Sequence, residues 1–250
     1  MRAVATLVLA LRYLTIAPIP AGAHVAPTTL GRAAPWFPLI GLALGSIVAA
    51  GERVVGIVFP PLLDALLAVA LWRLLTGGLH LDGLADCLDG LVGRDAVDRL
   101  RIMRDSRIGA FGAVGLILFL LLEVAAVSEL APAARWRAFV AASALARAMP
   151  PLVAWVFPPA TPLGQGAMFR SGLTRLRVVV AVALGGVVAV AALGRAGLLV
   201  FALVTVASLG VGRFYTRHLG GVTGDVLGAA IETAELIVLL TMVAWTSGLR

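Results

Sequence analysis

Apolar residues run along this chain in blocks of roughly 15 to 24, near the length that carries an α-helix across a bilayer, with short polar stretches between them. Seven blocks read as spans: Trp36 to Phe59, Leu62 to Gly78, Gly109 to Leu130, Ala138 to Phe157, Val178 to Leu193, Gly197 to Val211 and Val226 to Trp245. An eighth, Ala3 to Ile16, is shorter, is broken by Arg12 and ends in "APIP", which predicts an interfacial helix. The "AGA" at 21 to 23 offers a competing reading as a signal-peptide cleavage site, but Arg12 interrupts the apolar core such a peptide needs. The pattern predicts an all-α, polytopic membrane bundle of six or seven transmembrane helices, built as a single membrane-embedded domain over residues 1–250.

Composition agrees: 61% of residues are hydrophobic and only 13% charged, and no polar stretch is long enough for a separate soluble domain. The net charge of +7 is all arginine, since the chain has no lysine. These arginines lie beside apolar segments rather than in an aromatic-laced basic patch, which argues for topology and against nucleic acid. With seven spans, thirteen arginines fall on one side: 2, 12, 32, 94, 99, 101, 104, 107, 170, 175, 177, 213 and 217. Four fall on the other (135, 137, 195 and 250), and Arg53, Arg73 and Arg147 lie within or near spans. Short cytoplasmic segments keep positive charge, so the richer side is read as cytoplasmic.

That side carries "HLDGLADCLDGL", His80 to Leu91. On a helix Asp82, Asp86 and Asp89 fall within roughly 60° of one another, opposite Leu81, Leu84, Leu88 and Leu91. Carboxylates one turn apart repel by roughly 2 to 3 kcal/mol at an effective dielectric near 20. Water could offset this on a solvated face, but Gly83 and Gly90 are poor helix formers and suggest close approach of a ligand. Hard oxygen donors without thiolate or histidine favour Mg²⁺ or Mn²⁺. The lone cysteine, Cys87, reads as a small filler.

In "RDAVDRLRIMRDSRIGAFG", Arg94 to Gly112, Asp95, Asp98 and Arg99 read as ordinary surface pairing. Arg104, Asp105, Ser106 and Arg107 instead set an acid between two planar phosphate donors, just before flexible glycines. In "GGVTGDVLGAAIETAEL", Thr223 can cap a helix whose first turn holds Asp225, with Gly224 beside it. Glu232 and Glu235 fall at membrane depth, where ionisable groups line polar cavities, and Arg147 invites the same reading as a phosphate or carboxylate partner. Arg73 is read as snorkelling to the cytoplasmic edge and His80 as a surface residue. His24 and His218 receive no role. Acid clusters for a divalent cation beside arginines for phosphate point to transfer of a phosphoryl or pyrophosphate-activated group.

"GGLHLDGLADCLDGL", "IMRDSRIGAFG" and "GGVTGDVLGAAIETAEL", with "LRYLTIAPIP" and "FPLIGLALG", make the sequence resemble the cobalamin synthase family over essentially its whole length. Cys87, where a small polar residue such as Thr is usual, is the one departure. The resemblance implies an integral enzyme of the bacterial cytoplasmic (inner) membrane with its site facing the cytoplasm. It implies attack by a hydroxyl of α-ribazole, or of its 5'-phosphate, on the corrin-side phosphate of adenosylcobinamide-GDP, with GMP leaving and Mg²⁺ as cofactor. Carried onto this chain, Asp82, Asp86 and Asp105 would hold Mg²⁺, with Asp225 a further ligand and Asp89 the base. Arg104 and Arg107 would grip the GMP phosphate, with Ser106, Arg147, Gly224 and Glu232 also contacting substrate. The acid spacing also resembles, more loosely, that of CDP-alcohol phosphotransferases. Two other classes stay open: a UbiA-like prenyltransferase, which should show a second acid motif, and an ion or proton transporter using Glu232, Glu235 and Arg147 as a relay.

Overall fold

A computed structural model describes residues 2–19 and 27–248, and these are almost wholly helical. In chain order come α1 (Arg2–Leu14), a 3₁₀ segment (Pro27–Trp36), α2 (Phe37–Val55), α3 (Pro61–Thr76), α4 (Leu79–Gly90) and α5 (Ala96–Ile102). They are followed by α6 (Ala110–Glu129), α7 (Pro132–Val156), α8 (Gln165–Ser171), α9 (Arg175–Leu193), α10 (Arg195–Leu219) and α11 (Gly224–Ser247). Among the described residues, α2 with the 3₁₀ turn before it, α6, α7, α9, α10 and α11 are each long and apolar enough to cross a membrane. α3 and α4 are long and apolar enough only as a pair, which bends by 91° between them and brings the count to seven if taken as one span. The predicted bundle is therefore observed. The "AGA" at 21 to 23 and His24 lie outside the described residues.

Two boundaries moved. α7 begins at Pro132, a residue suited to the first helical turn, and α10 runs to Leu219, where Gly220 takes a left-handed conformation (φ 79°) and ends it. Arg135, Arg137, Arg213 and Arg217 are thus carried on helix ends rather than in loops.

α7 is the spine of the bundle, packed by α2, α9 and α11. Lipid offers apolar helices no hydrophobic reason to associate, so close contact of small residues must hold them. A Cβ added at Gly41 of α2 would fall 2.2 Å from the Ser143 carbonyl oxygen of α7, and one at Gly45 would fall 2.5 Å from that of Phe139. On the far side Gly185 of α9 meets Ala148 in the same way. α6 by contrast turns Ile117, Leu118, Leu121 and Leu122 outward, where only lipid can cover them.

Alternating crossings bring α1, α4, α5, α8 and the start of α11 to one end, the arginine-rich one; Arg135, Arg137 and Arg195 lie at the other. At that other end Arg135 is buried, donating to Glu52 (3.2 Å), Asp64 and the Leu130 carbonyl (2.8 Å). α1 joins the arginine-rich end through the Ile16 N–H, which donates to Leu75 O at 3.0 Å. Its position agrees with an interfacial helix.

A second polar cluster lies deep in the bundle. Arg73 of α3 pairs with Glu123 of α6 and with Glu232 and Glu235 of α11 (2.7 and 2.8 Å), and Arg147 of α7 pairs with Glu235. This corrects three readings of the sequence. Arg73 does not snorkel to an edge, and Arg147 and Glu232, expected against substrate, are fully buried and held by each other's neighbours. His80, expected on the surface, is buried too, with neither ring nitrogen hydrogen-bonded. A charge at this depth is tolerated only when paired, and here the pairs join α3, α6, α7 and α11.

Candidate functional site

Gly77 and Gly78 both take left-handed conformations (φ 64° and 67°), which a side chain would resist. This double turn swings α4 across the arginine-rich end of the bundle. There α4 presents Asp82 exposed, Asp86 half-buried and Asp89 buried. The acid face predicted from spacing is present, but its members do different things.

Asp82 and Asp86 lie beside Asp225, which Thr223 positions: the Thr223 hydroxyl accepts from Val226 N–H (3.2 Å) and donates to Asp225 Oδ2 (3.2 Å). Burial, together with the neighbouring Asp82, Asp225 and Asp89 charges, pushes the Asp86 carboxyl up to about 7. Such a cluster lacks counter-charge. Gly83 and Gly90 do not admit a ligand, as the sequence suggested; Gly83 lets α4 lie on Asp225, and Gly90 seats Met103.

Asp89, expected as the base, has both oxygens engaged: Oδ2 accepts from Gly109 N–H (2.8 Å) and Oδ1 from Gly112 N–H (2.7 Å). It caps α6 from a distant point in sequence, satisfying two of the donors that a helix start leaves open. A Cβ at Gly109 or Gly112 would fall 2.4 Å from that carboxylate, which explains those glycines.

The loop after α5 divides. Arg104 lines a cavity of about 240 Å³ with Thr161, Gln165, Thr223, Gly224 and Asp225. Arg104, Gly224 and Asp225 are therefore brought together as predicted. Asp105 and Arg107 turn instead to a second cleft of about 540 Å³ beside Asp89 and Arg101. There Asp105 accepts from Arg107 through Nε (3.0 Å), Nη2 (2.7 Å) and the backbone N–H (3.1 Å), which holds its carboxyl down at about 2. Asp105 is not among the acids that act on Asp86. The expected single cluster of Asp82, Asp105 and Asp225 is thus split. Ser106 is exposed between the two arms.

Sequence reasoning missed Thr161 and Gln165. The loop after α7 docks on the loop after α10, with Val222 N–H donating to Pro158 O (2.8 Å) and Ala160 N–H to Val222 O (3.0 Å). Gly221 and Gly166 make that close approach possible, and it carries both polar residues to Asp225. The only local signal was glycine on either side of Gln165. Asp95 caps α5 by accepting from Asp98 N–H (2.9 Å), and Asp98 pairs with Arg101, as surface residues do. Cys87 is buried, and Tyr215 donates to its carbonyl at 3.0 Å, tying α4 to α10.

Three acids offer only hard oxygen donors and lack counter-charge, so their chemistry fits a divalent cation. Among the described residues they do not reach common ligand distance; the carboxylates that do so are those of Glu123, Glu232 and Glu235, which arginines already occupy.

A bundle of six long apolar helices, with Arg104 and Asp225 on one cleft at its arginine-rich end and Asp82 and Asp86 beside Asp225, defines a polytopic helical membrane protein. The chain belongs to the cobalamin-5-phosphate synthase family, whose sequence profile matches residues 6–243. Proteins described as adenosylcobinamide-GDP ribazoletransferase share its length: that of Ralstonia nicotianae is 38% identical over 96% of this chain and 95% of its own. Those of Geotalea daltonii (36%; 94% and 95%) and Herpetosiphon aurantiacus (39%; 94% and 94%) are similar. No solved structure matches the fold.

Proposed function

We propose that this protein is an adenosylcobinamide-GDP ribazoletransferase, a cobalamin synthase of the cytoplasmic membrane, whose site faces the cytoplasm. The observation that carries this reading is that Arg104 and Asp225 line one cleft, with Asp82 and Asp86 of α4 beside Asp225, in a chain that matches the family along nearly its entire length.

The reaction joins a hydroxyl of α-ribazole, or of its 5'-phosphate, to the corrin-side phosphate of adenosylcobinamide-GDP; GMP carries away the electron pair of the broken P–O bond, and the hydroxyl proton passes to solvent water at the cleft. Asp82, Asp86 and Asp225 would hold Mg²⁺, which when bound neutralises charge on the pyrophosphate. Arg104, which stands on the cavity wall with no carboxylate partner among the described residues, is the planar donor that grips the leaving phosphate. Gln165 and Thr161 offer neutral donors and acceptors to the rest of the nucleotide. Asp89 keeps α4 and α6 in register and takes no proton. Arg107, tied to Asp105, acts at the second cleft.

Purified protein in detergent, given adenosylcobinamide-GDP, α-ribazole and Mg²⁺, should release GMP. Absence of GMP with either form of the acceptor would refute the assignment. A prenyl diphosphate consumed in its place would support the prenyltransferase reading.

A further inference from the structure

The deep cluster holds three glutamates and two arginines, so if all five were ionised it would carry one excess negative charge inside the membrane. Glu123, Arg147, Glu232 and Glu235 are fully shielded, and Arg73 nearly so. Its surroundings offer little relief. The Trp72 and Phe119 rings lie 4.8 and 6.0 Å from the Arg73 guanidinium carbon, and the remaining ionisable neighbour is His80, next to both arginines. An uncompensated charge at this depth costs several kcal/mol on any scale.

The hydrogen bonds say where compensation is needed. Glu235 is saturated, with one oxygen on Arg73 and the other on Arg147. Glu123 and Glu232 each touch Arg73 through a single oxygen. The other oxygen of each, Glu123 Oε2 and Glu232 Oε1, is buried with no partner, on a side chain that is fully buried. A metal ion would have to use those same oxygens while sharing the space with the unbonded Nε and Nη2 of Arg147 and Nε of Arg73, all cationic. A proton meets no such repulsion, and it supplies the donor that these acceptors lack; Glu123 and Glu232 each bring a carboxylate oxygen within 4.8 Å of the other's.

We infer that the network binds one proton, held between the carboxyl groups of Glu123 and Glu232. The cluster is then electrically neutral, and α3, α6, α7 and α11 are locked by two ion pairs and one neutral carboxyl rather than by three competing anions.

The test uses the full-length protein in detergent and needs no substrate. Infrared spectra at neutral pH, recorded in an Asp86→Asn background to remove the other carboxyl pushed up to about 7, should show a protonated-carboxyl C=O stretch that moves in D₂O. It should be absent when either Glu123→Gln or Glu232→Gln is added to that background, where the amide takes the neutral place. Each of these single variants should melt within about 2 °C of the wild type, whereas Glu235→Gln and the double Glu123→Gln/Glu232→Gln should melt about 5 °C lower or more. A wild type without the band would overturn the inference even if no variant folds. So would melting that depends on sodium at fixed ionic strength, or single variants as unstable as Glu235→Gln.

Discussion

Gly83 of α4 lies directly against Asp225 of α11: a Cβ at position 83 would fall 3.0 Å from both the Cα and the carbonyl oxygen of Asp225. Two helices far apart in sequence are thereby pressed together where their acids, Asp82, Asp86 and Asp225, lie side by side. Gly83→Ala should force them apart, costing about 1 to 3 kcal/mol of stability. It should also weaken divalent-ion binding, although no carboxylate has been touched. Isothermal titration with Mn²⁺ beside a thermal melt would check both, and unchanged affinity would detach this contact from the cation site.

Asp82→Asn and Asp86→Asn keep shape and polarity but remove the charge a hard cation requires. Each should lower GMP release by about a hundredfold or more without unfolding the protein. Asp95→Asn, in the cap of α5, should retain most activity. If the acid face served only to stay wet, the first two changes would relieve repulsion and leave activity intact.

The Asp86 carboxyl, pushed up to about 7, gives cation binding a pH dependence. A raised carboxyl is protonated below that value, and a metal must displace the proton. Affinity should therefore fall as pH drops through 7, by up to about tenfold per unit, and level off above it. Mn²⁺ binding measured from about pH 6 to 8 in wild type and Asp86→Asn tests this; a flat wild-type profile would contradict it.

Asp89→Asn keeps one acceptor but points an amide donor at a backbone N–H, so α6 should lose about 1 to 2 kcal/mol of capping. The pH–rate profile of the remaining activity should keep its shape. Disappearance of the acid-side limb, where protonation of a base silences it, would restore Asp89 as the proton acceptor.

Arg104→Ala should raise the KM for adenosylcobinamide-GDP about tenfold or more, since Arg104 stands on the Asp225 cavity. Asp105→Asn should leave Mn²⁺ affinity unchanged, because Asp105 faces the other cleft. Loss of metal binding in that variant would return Asp105 to the ligand set.

The crossings were legible because a twenty-residue apolar run has few other uses, and arginine counting paired the right loops at one end. Asp82, Asp86, Arg104 and Asp225 were legible for the same reason: polar residues inserted into an apolar text stand out. The partners of Arg73 and Arg147 were not. Their pairing depends on rotations of α3, α6, α7 and α11 that packing fixes and a single sequence does not express. Asp89 was misread because a capping acid and a catalytic acid look alike at one-turn spacing, and only the distant N–H groups of Gly109 and Gly112 tell them apart.

The buried ion pairs also constrain how the chain enters the membrane. α3 brings Arg73 and α6 brings Glu123, so these two can neutralise each other early. Arg147 arrives on α7 with its partner Glu235 still 88 residues away. Until α11 is made, α7 carries an unpaired guanidinium whose placement at mid-bilayer costs about 2.5 to 3.5 kcal/mol on insertion scales. Truncation ahead of α11 should therefore lower the insertion efficiency of α7, and Arg147→Ala should restore it in the truncated chain.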